Sequence, residues 1–550
     1  FAIRESLDTL RLNSDGDPIC GLERTATSFG FLTPLDCVVV NWFAPSLFTT
    51  QGGNKTFATQ AETDFVSGTS INTTELETRV FNAIITGDLF ELPGGTVGAA
   101  LGGEVREESI STSNDLIRTK GLAASEIPDT EGNTNGTNSI WSIFGEVEVP
   151  VIEQITLNFS GRYSDDKIAG DNFSYSLKGS FRPSDWLRAS VTYGTTFRAP
   201  DLRALFLAGT TGTIGGGNDP CVVPTVAQDA GNNYLPGMDP RPQIVLDNCF
   251  ADGADPTALG LLAVTGITTT TGGNTALRPE TSTSFTAGLV FSPQFSDTMD
   301  FDFSVTYFDI EVEDQILATS AATVLTGCYN DEPNLASALC NFVTRNTGDP
   351  TTATLANVDV PFLNVGINTS TGLDFNARFR ADLDSVVEGA TFSYNLGATH
   401  YLEQLVQIDA DSPIDDNVGE LGNGAWSGIG TANIGLNNWS FLWRTRYIDS
   451  FQQDDTDAFV MGSATGTACG ILGATVACAD KDFGGSRFYN DFSLTYNQDS
   501  WAVTAGINNV FDTRPPLIDQ GEGSSRMNIV VQSGHDLIGR RAFVNLTKRF

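Results

Sequence analysis

Apolar and polar residues change places at nearly every step along much of this chain. Between residues 155 and 163, Ile155, Leu157, Phe159 and Tyr163 fall on one side, and Thr156, Asn158, Ser160 and Arg162 on the other. A period of two marks a strand with one apolar face. The next stretch opposes Phe173, Tyr175, Leu177 and Phe181 to Ser174, Ser176, Lys178, Ser180 and Arg182. The one after sets Leu187, Ala189, Val191, Tyr193 and Phe197 against Arg188, Ser190, Thr192, Thr196 and Arg198. Short turns such as Arg182-Pro183-Ser184-Asp185 join these neighbours.

A soluble sandwich and a transmembrane barrel share this alternation, so other features must separate them. The segments run to about 10 to 12 residues, longer than the usual strand of globular sheets and long enough to cross a bilayer at a tilt. Aromatic residues recur near segment ends, at Phe181, Trp186, Phe197, Trp439, Tyr489, Trp501, Phe511 and Phe550, where an interfacial girdle would place them. Connections alternate between very short and very long.

The pattern therefore predicts an all-β fold, an antiparallel transmembrane β-barrel with short periplasmic turns and long extracellular loops. About sixteen strands are expected, near 1–10, 73–91, 96–111, 139–152, 155–169, 171–183, 187–198, 281–293, 297–312, 360–382, 389–404, 425–437, 439–450, 487–497, 500–510 and 539–550. If each strand reverses direction, the intervals 11–72, 199–280, 313–359, 405–424, 451–486 and 511–538 all fall on one side.

Composition agrees. The 550 residues hold 30 Lys+Arg against 67 Asp+Glu, so 30 − 67 gives a net charge of −37, which excludes nucleic acid as a natural partner. Charged residues make up 18% of the chain, below the roughly 25% of soluble domains, and no linker divides it. Phe459 to Ala479 is uncharged but carries four glycines and several hydroxyls; it reads as a surface loop, not a membrane helix.

Several motifs resemble the TonB-dependent outer-membrane receptors. Leu92-Pro93-Gly94-Gly95-Thr96-Val97-Gly98, running into Leu101-Gly102-Gly103-Glu104-Val105-Arg106-Glu107-Glu108, is similar to a tight turn and strand of that family. Phe197-Arg198-Ala199-Pro200-Asp201-Leu202 followed by Leu205-Phe206 resembles its "FRAP…LF" segment. Leu277-Arg278-Pro279-Glu280-Thr281-Ser282, Asn508-Asn509-Val510-Phe511-Asp512 and a last strand ending in Phe550 complete the set. The resemblance implies a barrel of 22 strands, of which about sixteen are here, and a lumen filled by an N-terminal plug. It further implies import of a scarce ligand (siderophore, cobalamin or oligosaccharide class) energised by the TonB complex. On that basis residues 1–550 are expected to be the barrel domain, with the plug and first strands upstream of Phe1, and the ligand to be held by loops 199–280 and 313–359 together with the plug. On the last strand Ala542, Val544, Leu546 and Phe550 suit outer-membrane lipid, and Lys548 interrupts them near the rim.

Eight cysteines form four local pairs, Cys20/Cys37, Cys221/Cys249, Cys328/Cys340 and Cys469/Cys478, each inside one outer loop. Zinc would want Cys-x-x-Cys steps or nearby histidines, and His400 and His535 are the only two; disulfides in an oxidising compartment are the favoured reading. No local signature of a catalytic site or a cofactor is present. The Asn-x-Ser/Thr sites at Asn158 and Asn545 lie inside strands and read as chance matches. Asp409, Asp411, Asp415 and Asp416 offer hard oxygens for Ca2+, but their spacing departs from the EF-hand, and a solvated acidic loop tip is the favoured reading. Arg162, Lys178, Arg182, Arg188 and Arg198 share the polar, lumen-facing side, where they would pair with the wall or a plug, or attract an anionic solute. Three function classes stand at this point: a nutrient receptor, a passive sixteen-stranded porin, and a structural or adhesive barrel.

Overall fold

The computed structural model describes residues 11–12, 18–19, 38–42, 44, 57–67, 69–120, 130–229, 231–260, 266–407, 414–452, 483–517 and 534–549. Fifteen long strands among them form the wall: β1 (Asn72–Leu92), β2 (Gly95–Asn114), β3 (Asn135–Ile152), β4 (Ile155–Asp166), β5 (Gly170–Ser184), β6 (Leu187–Arg198), β7 (Glu280–Phe291) and β8 (Met299–Ala318), then β9 (Phe362–Asp382), β10 (Ala390–Gln407), β11 (Trp426–Leu436), β12 (Trp439–Ile448), β13 (Arg487–Asn497), β14 (Trp501–Asn508) and β15 (Arg541–Lys548). Each pairs antiparallel with the next in sequence. The expected strand at 1–10 lies outside the described residues, as does the 459–479 stretch.

The ring order sets β15 beside β1. No residue register joins those two among the described residues, however, and both are exposed almost throughout. The wall therefore has a seam there. In lipid an unpaired strand edge leaves backbone polar groups unsatisfied.

Lipid, not water, explains the outward face. Phe159, Leu177, Val191, Leu289, Trp439 and Phe441 are exposed, while the alternate positions Ser142, Ser164 and Asp166 are buried in the lumen wall. No helix among the described residues is long and apolar enough to cross a membrane. Tyr489 is not part of the girdle. It pairs with Arg446, two positions from the Arg444–Asp491 pair, and so takes the inward parity of those charges.

The first tight turn shows why glycine stands where it does. A Cβ on Gly94 would come within 2.5 Å of the Ile152 carbonyl carbon and the Pro150 oxygen, and Gly95 takes φ +133°. Only glycine serves both positions.

Two of the long loops hold a folded unit of their own. Segments from 199–279 and 319–361 build a four-stranded sheet in the order Val343–Arg345, Leu355–Asp359, Ile267–Thr271, Thr210–Ile214. Its apolar face, with Ile214, Ile267 and Val358, packs on helices Gln243–Ala251 and Ala321–Tyr329 through Val245, Cys249, Val324 and Tyr329. The alternation pattern predicts loops over these stretches. They form a cap with a buried core.

Candidate functional site

Two of the motifs meet in space. Arg198 ends β6 directly opposite Glu280, which starts β7, and its guanidinium donates Nε to Oε2 and Nη2 to Oε1, both at 2.5 Å. Asp201 then caps the helix Leu202–Phe206, accepting from the Ala204 amide at 2.7 Å, and that helix buries Ala204 and Leu205 against Leu277. The "FRAP…LF" and "LRPE" stretches thus form the latch at which the chain leaves the wall for the cap and returns. The Asn-Asn-Val-Phe-Asp motif is a lock of another kind. Asn509, at φ +47°, accepts from the Thr513 amide and donates to its carbonyl at 2.8 and 2.9 Å, while its own amide donates to Asp491.

On the lumen side below this latch a cavity of about 450 Å³ is bordered by Arg106, Arg162 and Arg198. All three cations have carboxylate partners: Arg106 with Glu108 at 3.3 Å, Arg162 with Glu104 at 3.0 Å, and Arg198 with Glu280. Arg162 also lies over the Phe144 ring at 5.3 Å. Each of these cations thus has a counter-charge, although the buried Arg106 Nε makes no hydrogen bond.

A second cavity, of about 600 Å³, is different. Tyr401, Gln404, Asn423, Ser427 and Arg446 line it, and its lining has no carboxylate among the described residues. Arg444, one step away in sequence, is paired with Asp491 at 2.7 Å. Arg446 instead stacks on Tyr489, 5.1 Å from the ring centroid, without a carboxylate partner among the described residues. Tyr489 in turn contacts His535, Oη to Nδ1, at 2.9 Å. A guanidinium with no carboxylate partner among the described residues, set among amide and hydroxyl groups in a chain of net charge −37, is suited to an oxygen-rich anion.

The sequence-marked residues divide as follows. Cys221–Cys249 and Cys328–Cys340 are joined inside the cap, with S–S distances of 2.00 and 2.09 Å; Cys20, Cys37, Cys469 and Cys478 lie outside the described residues. So do Asp409 and Asp411. Asp415 and Asp416 form a short strand against Leu405 and Val406, and the Asp416 carboxylate accepts from the amides of Gln404 and Val418, which gives it a structural use. No group of metal-binding side chains occurs among the described residues. Arg182 pairs with Asp185 across the periplasmic turn at 3.4 Å. Lys178 and Arg188 border a separate cavity lower in the lumen. His400 faces outward, stacked on Trp426 at 4.2 Å. Arg446 was not marked by the sequence reading, although its parity with Arg444 would have found it.

A family model described as TonB dependent receptor-like, beta-barrel, matches residues 39–510. No curated protein matches the chain. Among solved structures it resembles the ferric enterobactin receptor of Pseudomonas aeruginosa, with TM-score 0.52 and 15% identity over 86% of this chain and 54% of that one. It also resembles the siderophore receptor PirA of Acinetobacter baumannii, with TM-score 0.50 and 15% identity over 87% of this chain and 55% of that one. At such identities the likeness is one of fold, and the chain spans about half the length of these structures. The chain belongs to the TonB-dependent receptor family as an outer-membrane β-barrel, and members of that family are transporters, not enzymes.

Proposed function

We propose that the intact protein is an outer-membrane receptor that captures a scarce anionic small-molecule complex, of the class to which ferric siderophores belong, and imports it with energy from the TonB complex. The carrying observation is the cavity at Arg446, which lies in the outer half of a polar lumen and, among the described residues, has no carboxylate in its lining and no acidic partner for its cation, in a strongly acidic chain. The two structural relatives are described as receptors for ferric enterobactin and for a siderophore, which favours this ligand class over cobalamin and oligosaccharides. The cap built from 199–279 and 319–361 would present the ligand to that cavity.

The plug, the segment that contacts TonB and the remaining strands would be supplied by a further part of the polypeptide. The seam between β1 and β15 and the half-length coverage of the relatives support that division. Uptake of radiolabelled ferric chelates by cells expressing the intact receptor tests the reading. Accumulation abolished by a protonophore is expected. Accumulation that is unsaturable and indifferent to the protonophore would identify a passive pore instead.

A further inference from the structure

One face of the cap carries apolar side chains that its core does not use. The helical turns Thr225–Ala227 and Pro236–Met238 lie against each other. There the Leu235 amide donates to the Ala227 carbonyl at 2.8 Å, and the Met238 amide to the Leu235 carbonyl at 3.0 Å. On these turns Val226, Leu235 and Met238 are 59%, 37% and 61% exposed. The helix Gln243–Ala251 follows, and Phe250, 54% exposed, shares its solvent side with Gln243 and Asp247.

This face is held rigidly. Arg241 pairs with Asp239 at 2.7 Å and donates Nη1 to the carbonyls of Pro220 and Val222, at 3.2 Å each, and Nη2 to that of Pro256 at 2.6 Å. The Tyr234 hydroxyl donates to Asp239 at 2.8 Å, and the Cys221–Cys249 bridge ties the helix to the same base. Groups fixed in this way lose little entropy on binding, and clustered apolar side chains left in water mark interaction surfaces.

Charge selects the partner. Segments 199–279 and 319–361 hold eleven Asp and Glu, four Arg and no lysine or histidine, so 4 − 11 gives −7. Arg241 and Arg345 are engaged in buried ion pairs and Arg278 with Asp314, while Arg203 lies on the short helix at the latch. Asp229, in the turn between Val226 and Leu235, is exposed. Its hydrogen bonds from the Asn233 side chain and from the Asn233 and Gly231 amides hold its carboxyl below the usual range, hence ionised. An anionic lipid surface, or a second copy of a chain of net charge −37, would be repelled here. We infer that this face docks a cationic amphipathic segment of a second protein, its apolar side chains on Val226, Leu235, Met238 and Phe250 and its basic groups towards Asp229 and Asp247. None of these residues lines the Arg446 cavity, so the inference does not depend on the ligand class proposed above.

A synthetic helix of leucine and lysine that carries a photo-cross-linker tests it on the intact receptor in detergent, with cross-linked sites read by mass spectrometry. Cross-links should be saturable, concentrated within 225–251 and weakened by salt, and a helix of leucine and glutamate should give none there. Val226→Ser combined with Met238→Ser should cut the yield about tenfold while hydrogen exchange at 267–271 stays unchanged, which shows that the cap is still folded. In the receptor alone, peroxide should oxidise Met238 as fast as free methionine. Cross-links spread along the lipid-facing belt, equal yield with the glutamate helix or with the double variant, or a Met238 already shielded by another segment of this chain would each overturn the inference.

Discussion

Arg345 and Asp219, 126 positions apart, form a two-pronged ion pair inside the cap: Nη1 donates to Oδ2 at 2.8 Å and Nη2 to Oδ1 at 2.9 Å. Their side chains are 2% and 0% exposed. The same guanidinium donates Nε to Asp252 and Nη2 to the Tyr329 hydroxyl, and Tyr329 donates to Asp252. Burial, and then Asp252, push the Tyr329 hydroxyl well above its ordinary range against the pull of Arg345, so it stays protonated as a donor. The network ties segments from both long loops into one core.

Asp219→Ala should therefore unfold the cap without opening the barrel. Removing one member of a buried pair leaves the other charged and unpaired, at a cost of about 3–5 kcal/mol, which Asp252 reduces in part. Hydrogen exchange checks it: protection at 343–345 and 355–359 should collapse while β6 keeps its own. Equal loss in both regions would count against a separately folded cap.

Reduction should act in the same place. The Cys221–Cys249 bridge closes 28 residues and Cys328–Cys340 closes 12, each contributing about 3 kcal/mol on loop-closure entropy. After mild reduction, proteolytic cuts should appear within 199–361 and not in the strands. A non-reducing peptide map should show these two pairings, and the expected Cys20–Cys37 and Cys469–Cys478 bridges, with no cross-links between loops.

The latch at β6 and β7 has its own test. Glu280 is 6% exposed and satisfies both Arg198 and the Ile316 amide, which donates to Oε1 at 2.7 Å. Glu280→Ala leaves the Ile316 amide without its acceptor and releases the exposed Arg198 to water, for about 1–3 kcal/mol. The thermal transition of the variant barrel should fall, and Glu280→Gln should recover part of the loss.

His535 makes the outer loop before β15 sensitive to acid. Burial, then the positive Arg487 and Arg446, lower its pKa to about 4 from an ordinary value of about 6.5. The unseated ring therefore binds a proton at higher pH than the seated one, so seating is fully favoured above about pH 6.5 and weakens as pH falls towards 4. Tyr489 and Phe451 pack on the ring, and Asp536 adjoins it. Proteolytic nicking at 534–540 should rise between pH 6.5 and 4, and His535→Gln should flatten that rise.

Much of the wall was legible because a period of two with lipid on one side leaves little freedom. Leu187–Arg198 and Arg487–Asn497 begin and end where the alternation does. The cap was not legible. Its strands have five residues or fewer and are rich in threonine, and its core joins Val245 to Val324 across the whole of β7 and β8. Cysteine spacing pointed to bridges within a loop and carried no information on which loops share a core. Charge pairing was half visible: parity turned Arg162 and Arg198 to the lumen, but only cross-strand register shows Glu104 and Glu280 beside them.

Equilibrium binding of a panel of ferric chelates to the intact purified receptor, and to its Arg446→Gln variant, bears most directly on the proposed function. At least one anionic chelate should bind saturably, neutral saccharides should not, and the variant should lose about tenfold or more in affinity, the worth of one charge-assisted hydrogen bond. Binding of no anionic chelate, or equal binding by Arg446→Gln, would contradict it.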